Sequence, residues 1–191
     1  MAFPAFFDTC TLYGAVLNDF LLWLADGDAF RPLWSEGVLE ELRRNLIKNG
    51  HDGEAVDKRL RTMRTYFPDA MVTGYEHLIE GMRCEPRDRH VLAAAVRANA
   101  DVLVTFNLKD FPAQALAPFD IEVVHPDEFL LDQLDLYPGL TMGTLSHLAE
   151  IYDAPKVTVD ELLQLLARAG VPRFAEEALR FIPSAPHNPD A

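Results

Sequence analysis

The segment DRHVLAAAVRANADVLVTFNLKDFP, residues 88–112, predicts a helix that leads directly into a buried strand. Apolar residues recur at helical spacing on one face, so we expect a helix over residues 87–99. The β-branched run over residues 101–106 is typical of a strand buried in a parallel sheet. A helix followed in this way by a buried strand favours an α/β fold.

Four further segments of the chain predict strands of the same sheet. Each is short and apolar, and helical patterns separate one from the next. Strands that alternate with helices join through right-handed crossovers, so we expect a five-stranded parallel sheet with helices on both faces. The predicted strands are residues 3–7, 29–34, 70–73, 101–106 and 121–124, and the predicted helices are 12–24, a helix capped by Ser35, 54–66, 75–81 and 87–99.

The chain changes character after residue 126, where only helical patterns continue. Proline and glycine separate four helical segments, residues 127–134, 141–152, 159–169 and 173–181. We therefore expect an α/β domain over residues 1–128, an all-helical C-terminal extension over 129–183 and a disordered tail over 184–191.

Composition and charge narrow the class of protein. The chain has 191 residues, is 49% hydrophobic and carries a net charge of -13. It lacks an apolar run of about 18 residues that could span a membrane. The residues MAFPAFFD show neither the basic segment nor the cleavage site of an export signal, so we do not expect export. Cys10 and Cys84 are too few for a disulfide framework, so we expect a cytoplasmic protein. The negative charge opposes nucleic-acid binding overall, but basic residues predominate between Arg43 and Arg64.

Four acidic residues fall where a parallel sheet gathers its ligands. Asp8 and Asp110 follow predicted strands. Glu41 lies on the helix after the second strand, and Asp88 opens the helix before the fourth. Taken singly, each is also explained as a helix cap, a turn residue or a solvated side chain. Because ligands bind at the carboxyl ends of parallel strands, we expect these acids to share one edge of the sheet.

A cluster of carboxylates indicates a divalent cation. Two ionised carboxylates about 4 Å apart repel by roughly 4 kcal/mol at an effective dielectric constant near 20. Mg²⁺ accepts one or two carboxylates with waters and leaves positions for phosphate oxygens. Such a cation polarises phosphorus and lowers the pKa of an attacking water. The pattern therefore favours hydrolysis of phosphodiesters.

Three segments resemble the PIN-domain family of metal-dependent ribonucleases, which includes the VapC-type toxins of bacterial toxin-antitoxin pairs. They are FFDTCTLYGAVL, SEGVLEELRRNL and DRHVLAAAVRANADVLVTFNLKDFP, and the resemblance covers residues 3–125. It implies a three-layer α/β/α sandwich with a central five-stranded parallel sheet. It also implies Mg²⁺- or Mn²⁺-dependent endoribonuclease activity and neutralisation by a small antitoxin. The helical extension resembles those of some longer members of the family.

The resemblance assigns roles to three of the acids. Asp8 matches the family's metal ligand after strand one, and Glu41 matches the acid on its helix. Asp88 matches the acid that opens the penultimate core helix. Glu40 is the alternative to Glu41, because the two side chains lie about 100° apart around the helix and only one can point inward.

The fourth position of the site stays open. The family often has an acid two residues after the threonine of strand four, and here Asn107 stands two residues after Thr105. Asn107 can ligate through its carbonyl oxygen, whereas Asp110 can supply a charge from the loop. The expected catalytic residues are Asp8, Glu41, Asp88 and Asp110, and the expected metal ligands are Asp8, Asp88, Asn107 and Asp110.

Basic and apolar side chains suggest partners. The arginines that we expect nearest an RNA strand are Arg43, Arg44, Arg87 and Arg89, although charged helix faces are usually only solvated. An antitoxin groove or homodimer face could use five apolar side chains, although core packing is the better explanation for most of them. These are Phe20, Leu21, Trp23, Leu42 and Leu46.

The acids indicate phosphodiester hydrolysis, and the resemblance implies more specifically a metal-dependent endoribonuclease that is the toxin of a type II toxin-antitoxin pair. The alternative is a catalytically weakened PIN-like module that binds RNA or a protein without cleavage, which Asn107 and the acidic surface favour. A phosphatase with Asp8 as nucleophile is a third possibility. That chemistry commonly uses a second aspartate two residues later, where Cys10 stands in this chain.

Overall fold

The computed structural model of the chain describes residues 2–153 and 156–182. The predicted disordered tail, residues 184–191, lies outside the described residues. The chain divides into two compact units, Met1–Pro126 and Asp127–Ala191. Within the described ranges, no helix is both long enough and apolar enough to cross a membrane.

The first unit is built on a five-stranded parallel sheet in the order β3-β2-β1-β4-β5, which confirms the predicted sheet. The central strand is β1, and the chain first moves outward from it through β2 and β3. It then returns to place β4 on the other side of β1, so the strand order switches between β1 and β4. The strands are β1 Pro4–Phe7, β2 Arg31–Ser35, β3 Met71–Val72, β4 Val102–Val104 and β5 Glu122–Val124.

Helices connect these strands. The α-helices of the first unit are α1 Thr9–Tyr13, α2 Ala15–Asp26, α3 Glu36–Lys48, α4 Gly53–Tyr66, α5 Arg89–Arg97 and α6 Ala113–Leu116. Short 3-10 helices occupy Pro68–Ala70, Glu76–Gly81 and Leu108–Asp110. Ser35 caps α3 as predicted, because its hydroxyl accepts a hydrogen bond from the backbone N–H of Val38. The fully buried aromatic side chains of the core include Phe6, Phe7, Phe20, Phe30 and Trp34.

The sequence prediction of one helix over residues 12–24 was wrong. The helical backbone begins at Thr9, where the Asp8 side chain accepts a hydrogen bond from the first N–H, and it breaks at Gly14. Gly14 has extended backbone angles, φ -70° and ψ 122°, so α1 and α2 are separate helices. The apolar pattern continues across the break, and for that reason periodicity alone did not show it.

The second unit contains helices, as predicted. Their bounds are α7 Pro126–Leu136, α8 Pro138–Ile151, α9 Val159–Arg168 and α10 Pro172–Leu179. Asp127 is buried, and its carboxylate accepts hydrogen bonds from the backbone N–H groups of Arg173 and Phe174 at 3.2 and 2.8 Å. These bonds satisfy donors at the first turn of α10, which have no partner within the helix.

Candidate active site

Asp8 follows β1 directly and is held by hydrogen bonds at both carboxylate oxygens. It is 4% exposed. Its Oδ1 accepts from the backbone N–H of Thr9 at 2.6 Å, and its Oδ2 accepts from the hydroxyl of Thr105 at 2.7 Å. Because Thr105 follows β4, this bond joins the two strand ends that flank the switch point. The carboxylate is therefore oriented in advance by the fold.

Cys10 supports the orientation of Asp8. Burial, and after it the charge of Asp8, raise the pKa of the Cys10 thiol to about 12. The thiol is therefore protonated at neutral pH, and it donates to Asp8 Oδ2 at 3.1 Å. Cys10 and Cys84 are both free cysteines.

Glu41, on α3, is held by two partners at one of its oxygens. Its Oε2 accepts from the Thr9 hydroxyl at 3.1 Å and lies 3.4 Å from His90 Nε2. The hydrogen bond from His90 is the main cause that lowers the pKa of Glu41 below its ordinary value, and burial opposes it. Glu41 is thus ionised at neutral pH. Its Oε1 accepts no hydrogen bond from the described residues.

The neighbouring acid, Glu40, lies elsewhere. Its side chain is exposed and lines a separate groove between α3 and α4. Of the two adjacent acids, Glu41 is the one that faces the cavity described below. His90 is a residue that the sequence prediction missed. A signal was present, because a histidine two residues after Asp88 lies in the first turn of the same helix.

Asp88 precedes α5 and occupies the N-cap position without making a side-chain capping bond. Its carboxylate also has no hydrogen bond to any other described residue. Burial, followed by the charges of Asp8, Asp110 and Glu41, raises the pKa of Asp88 to about 6, and the charge of His90 opposes the shift. Asp88 therefore lies close enough to three other carboxylates for their charges to affect its pKa.

Most of the predicted site residues line one cavity of about 360 Å³. Three acids and one amide line it: Asp8, Glu41, Asp88 and Asn107. The remaining lining residues are Thr9, Cys10, Tyr13, Asn45 and Asn49. Asp110 ends a 3-10 helix and does not line this cavity, although its charge acts on Asp88. The cavity lies where the carboxyl ends of β1 and β4 meet, the expected place for a ligand.

The donor set fits a hard divalent cation in its chemistry. Three carboxylates and an amide oxygen are the ligands that Mg²⁺ and Mn²⁺ accept. Burial and then the neighbouring carboxylates raise the pKa of Asp88, and a bound cation would offset both effects. Among the described residues, no group of three or more His, Cys, Asp or Glu side chains is already arranged as a metal site. The carboxylates would have to converge further in order to ligate one cation.

The four predicted RNA-contacting arginines have different surroundings. Arg43 is paired with Asp57 at 2.6 Å, and Arg89 is half-buried with its Nε enclosed and without a hydrogen-bond partner in the described chain. Arg44 and Arg87 are exposed and form no ion pair with the described residues. The charge of Arg44 contributes to the lowered pKa of Glu41, so it lies within electrostatic reach of the cavity.

Most of the apolar residues considered for a partner groove belong to the core. Phe20, Leu21, Leu42 and Leu46 are buried. Trp23 is 38% exposed and borders an apolar groove between α2 and α4. Core packing therefore accounts for four of the five side chains.

Comparison with known proteins adds family relationships. Residues 4–109 match the PIN domain, and residues 126–180 match the VapC50 C-terminal domain. A protein of Mycobacterium tuberculosis (strain ATCC 25618 / H37Rv), named "Putative ribonuclease VapC50", is 46% identical over 127 residues. The match covers 64% of this chain and 75% of that protein. No solved structure matches the chain.

Proposed function

Since the chain belongs to the PIN-domain family, as a VapC-type protein with a C-terminal extension, we propose that it is a metal-dependent endoribonuclease and the toxin of a type II toxin-antitoxin pair. The observation that carries the proposal is the meeting of Asp8, Glu41 and Asp88 in one cavity beside the switch point of the sheet. The name of the M. tuberculosis relative supports RNA as the substrate. The proposal also includes a cytoplasmic location and a small antitoxin as partner, with a homodimer as a further possible assembly.

Asp8 and Asp88 are the residues that would hold the Mg²⁺ or Mn²⁺ ion. Asn107, which lines the cavity, would be the next ligand, and Asp110 would add charge from the adjoining turn. When bound, the cation would neutralise the acids, polarise the scissile phosphate and lower the pKa of a water. The Asp88 carboxylate forms no hydrogen bond with the described residues, so it is available to bind the cation.

The chain's own groups prepare the reaction. Asp8 is fixed by Thr9, Thr105 and Cys10, so it loses little freedom when a ligand binds. Glu41 is held at Oε2 and leaves Oε1 to orient a water. Its lowered pKa suits a group that stays charged and aligns the water, rather than a strong proton acceptor. In the reaction, the water oxygen forms a bond to phosphorus as one bridging P–O bond breaks. The water gives a proton to the solvent, and the released ribose oxygen takes one from the solvent.

The RNA backbone would approach a cavity that repels it in the absence of a cation, because no basic side chain is among the lining residues. Arg44 and Arg87, which are exposed and without ion pairs in the described chain, are the cations that we assign to flanking phosphates. Arg43 is a weaker candidate because Asp57 already neutralises it. RNA binding at this site is therefore expected to depend on the divalent cation.

One observation favours the alternative of a weakened module. Asn107 places a neutral amide where the family pattern often has an acid. A protein with this change could retain RNA binding and lose turnover. The two functions differ in one measurable property, which is cleavage.

The test is incubation of the purified full chain with a labelled single-stranded RNA in Mg²⁺, in Mn²⁺ and in EDTA. We expect cleavage in the metal buffers, none in EDTA, and none with Asp8→Asn. Metal-dependent binding without cleavage would support the weakened module. Neither binding nor cleavage over a broad set of RNAs would reject both functions.

A further inference from the structure

Residues of α3 and its C-cap residue, Asn49, face the candidate active site along one stripe of about two helical turns. Glu41, Asn45 and Asn49 are spaced by four residues, and all three line the same cavity. Four residues rise about 6 Å along a helix, so the two asparagines lead away from the acids in steps of about that length. The stripe therefore begins with a charged group of the proposed reaction centre and continues with neutral amides.

The amide of Asn45 has no hydrogen-bond partner in the part of the chain that the structure describes. It is half-buried, lines the cavity, and forms no side-chain hydrogen bond with any described residue. An amide carries two donors and one acceptor on a flat group. In the Asn45 position these groups are available to a molecule in the cavity.

Tyr13 adds an aromatic side chain whose position is fixed. Its hydroxyl accepts a hydrogen bond from Asn49 Nδ2 at 2.8 Å. The rings of Tyr13 and His51 are nearly perpendicular, with their centroids 6.2 Å apart. Arg59 donates to the backbone carbonyls of Leu12 and Tyr13, which ties this end of α1 to α4. The aromatic ring and the two amides therefore form one wall of the cavity, which we call the amide wall: Tyr13, Asn45 and Asn49.

The amide wall is suited to a flat, neutral, polar ligand. Acids occupy one part of the cavity lining, and the remaining side chains include no lysine or arginine. A phosphate would find no positive partner on the amide wall, whereas a nucleobase needs only neutral donors, acceptors and an aromatic surface. Single-stranded RNA is commonly recognised by stacking on aromatic rings and by hydrogen bonds to base edges.

We propose that the amide wall is a nucleobase subsite that reads one base of single-stranded RNA next to the scissile phosphate, with Asn45 as the residue that discriminates between bases. This inference rests on the proposed ribonuclease function. It adds a specificity determinant to the acids, which in the proposed reaction act at the phosphate and do not distinguish one base from another. The sequence prediction gave no role to any of these three residues.

The experiment measures cleavage of a randomised single-stranded RNA pool in Mn²⁺, with the cut sites read by sequencing. The variants are Asn45→Ala, Asn45→Gln and, as a matched control that removes an exposed amide outside the cavity, Gln114→Ala. Alanine is the best helix former, so Asn45→Ala is expected to fold, and a thermal melt checks this.

We expect the wild type to prefer one base at a fixed position relative to the cut. Asn45→Ala should lower that preference by on the order of 10-fold, the effect of losing one good base contact. Asn45→Gln should retain part of it, and Gln114→Ala should retain all of it. Unchanged preference in folded Asn45→Ala would overturn the subsite and leave the ribonuclease function standing, and the amide wall would then serve another partner such as a protein. A wild-type chain that cuts no RNA would instead overturn the proposed function, and this inference with it.

Discussion

The hydroxyl of Thr105 donates a hydrogen bond to Asp8 Oδ2 at 2.7 Å and so connects two residues that are 97 positions apart in the chain. The same hydroxyl accepts a bond from the backbone N–H of Asn107 at 3.1 Å. One side chain therefore orients an acid after β1 and shapes the turn after β4. Thr105 thus fixes the position of Asp8 relative to Asn107, two of the proposed metal ligands.

Thr105→Val removes this hydroxyl and keeps the side-chain shape. We expect it to destabilise the fold by about 1–2 kcal/mol, because it leaves buried groups without a partner, and to lower RNA cleavage strongly. Thr11→Val is the matched control, since Thr11 is equally buried and donates to the Val104 carbonyl instead of an acid. Its stability cost should be similar while its cleavage stays near wild type. Equal loss of activity in both variants would contradict the orienting role of Thr105.

Asp88→Asn should stabilise the metal-free chain at pH 8. The wild-type carboxylate is ionised there although it is partly buried and faces Asp8, Asp110 and Glu41, and these causes raise its pKa from the ordinary 3.8 to about 6. The folded state thus binds this proton more tightly than the unfolded state, so the wild type loses stability as pH rises from about 4 to 6. The gain in Tm from Asp88→Asn should be largest at pH 8 and vanish near pH 4. Thermal melts in EDTA measure it, and a gain independent of pH would refute this origin.

Asp8→Asn should behave differently in the same melts. Asp8 accepts hydrogen bonds at both oxygens, and asparagine offers only one acceptor oxygen in that place. The lost bond costs about 1–2 kcal/mol, which opposes the relief of charge repulsion. We expect Asp8→Asn to melt below Asp88→Asn at pH 8. The reverse order would mean that repulsion, and not hydrogen bonding, controls the environment of Asp8.

The sequence predicted the acids of the site because their positions follow from topology. Asp8 follows the first strand, and Asp88 opens the helix before the fourth, so a parallel sheet with a switch between those strands brings them together. The fold class is predictable for the same reason, since alternation of helix and strand patterns restricts the connections. The family resemblance favoured Glu41 over Glu40, and the structure places Glu41 in the cavity and Glu40 in a separate groove.

Other parts of the site depend on contacts between residues that are distant in the sequence. His90 on α5 contacts Glu41 on α3. Tyr13 is hydrogen-bonded to Asn49, which is 36 positions further along the chain. The break at Gly14 was missed because apolar residues continue through it. Such features follow from tertiary packing, which single-sequence periodicity does not describe.

His90 is expected to act as a positioning residue for Glu41. His90→Ala removes the donor 3.4 Å from Glu41 Oε2, and we expect kcat for RNA cleavage to fall about 10-fold while KM changes little. His90→Gln should restore part of kcat, because the glutamine amide can also donate. The control is His77→Ala, whose side chain is exposed outside the cavity. A fall in kcat that glutamine does not rescue would indicate a purely structural role.

Asn107 and Asp110 compete for the fourth ligand position. Because Asn107 lines the cavity and Asp110 does not, we expect Asn107→Asp to tighten Mn²⁺ binding and Asn107→Ala to weaken it. Asp110→Ala should have the smaller effect, since its charge acts through space. Isothermal titration with Mn²⁺ compares the three variants. A larger loss from Asp110→Ala would assign the ligand to Asp110, and no change in any variant would exclude both.

We propose that the acids beside the β1 and β4 strand ends hold a catalytic divalent cation. The most direct measurement is the initial rate of RNA cleavage as a function of Mn²⁺ concentration for the wild type and for Asp88→Asn. The account predicts a saturable rise in the wild type, no cleavage in EDTA, and a curve for Asp88→Asn that needs more Mn²⁺ and reaches a much lower plateau. Cleavage by the wild type in EDTA, or identical curves for the two proteins, would contradict it.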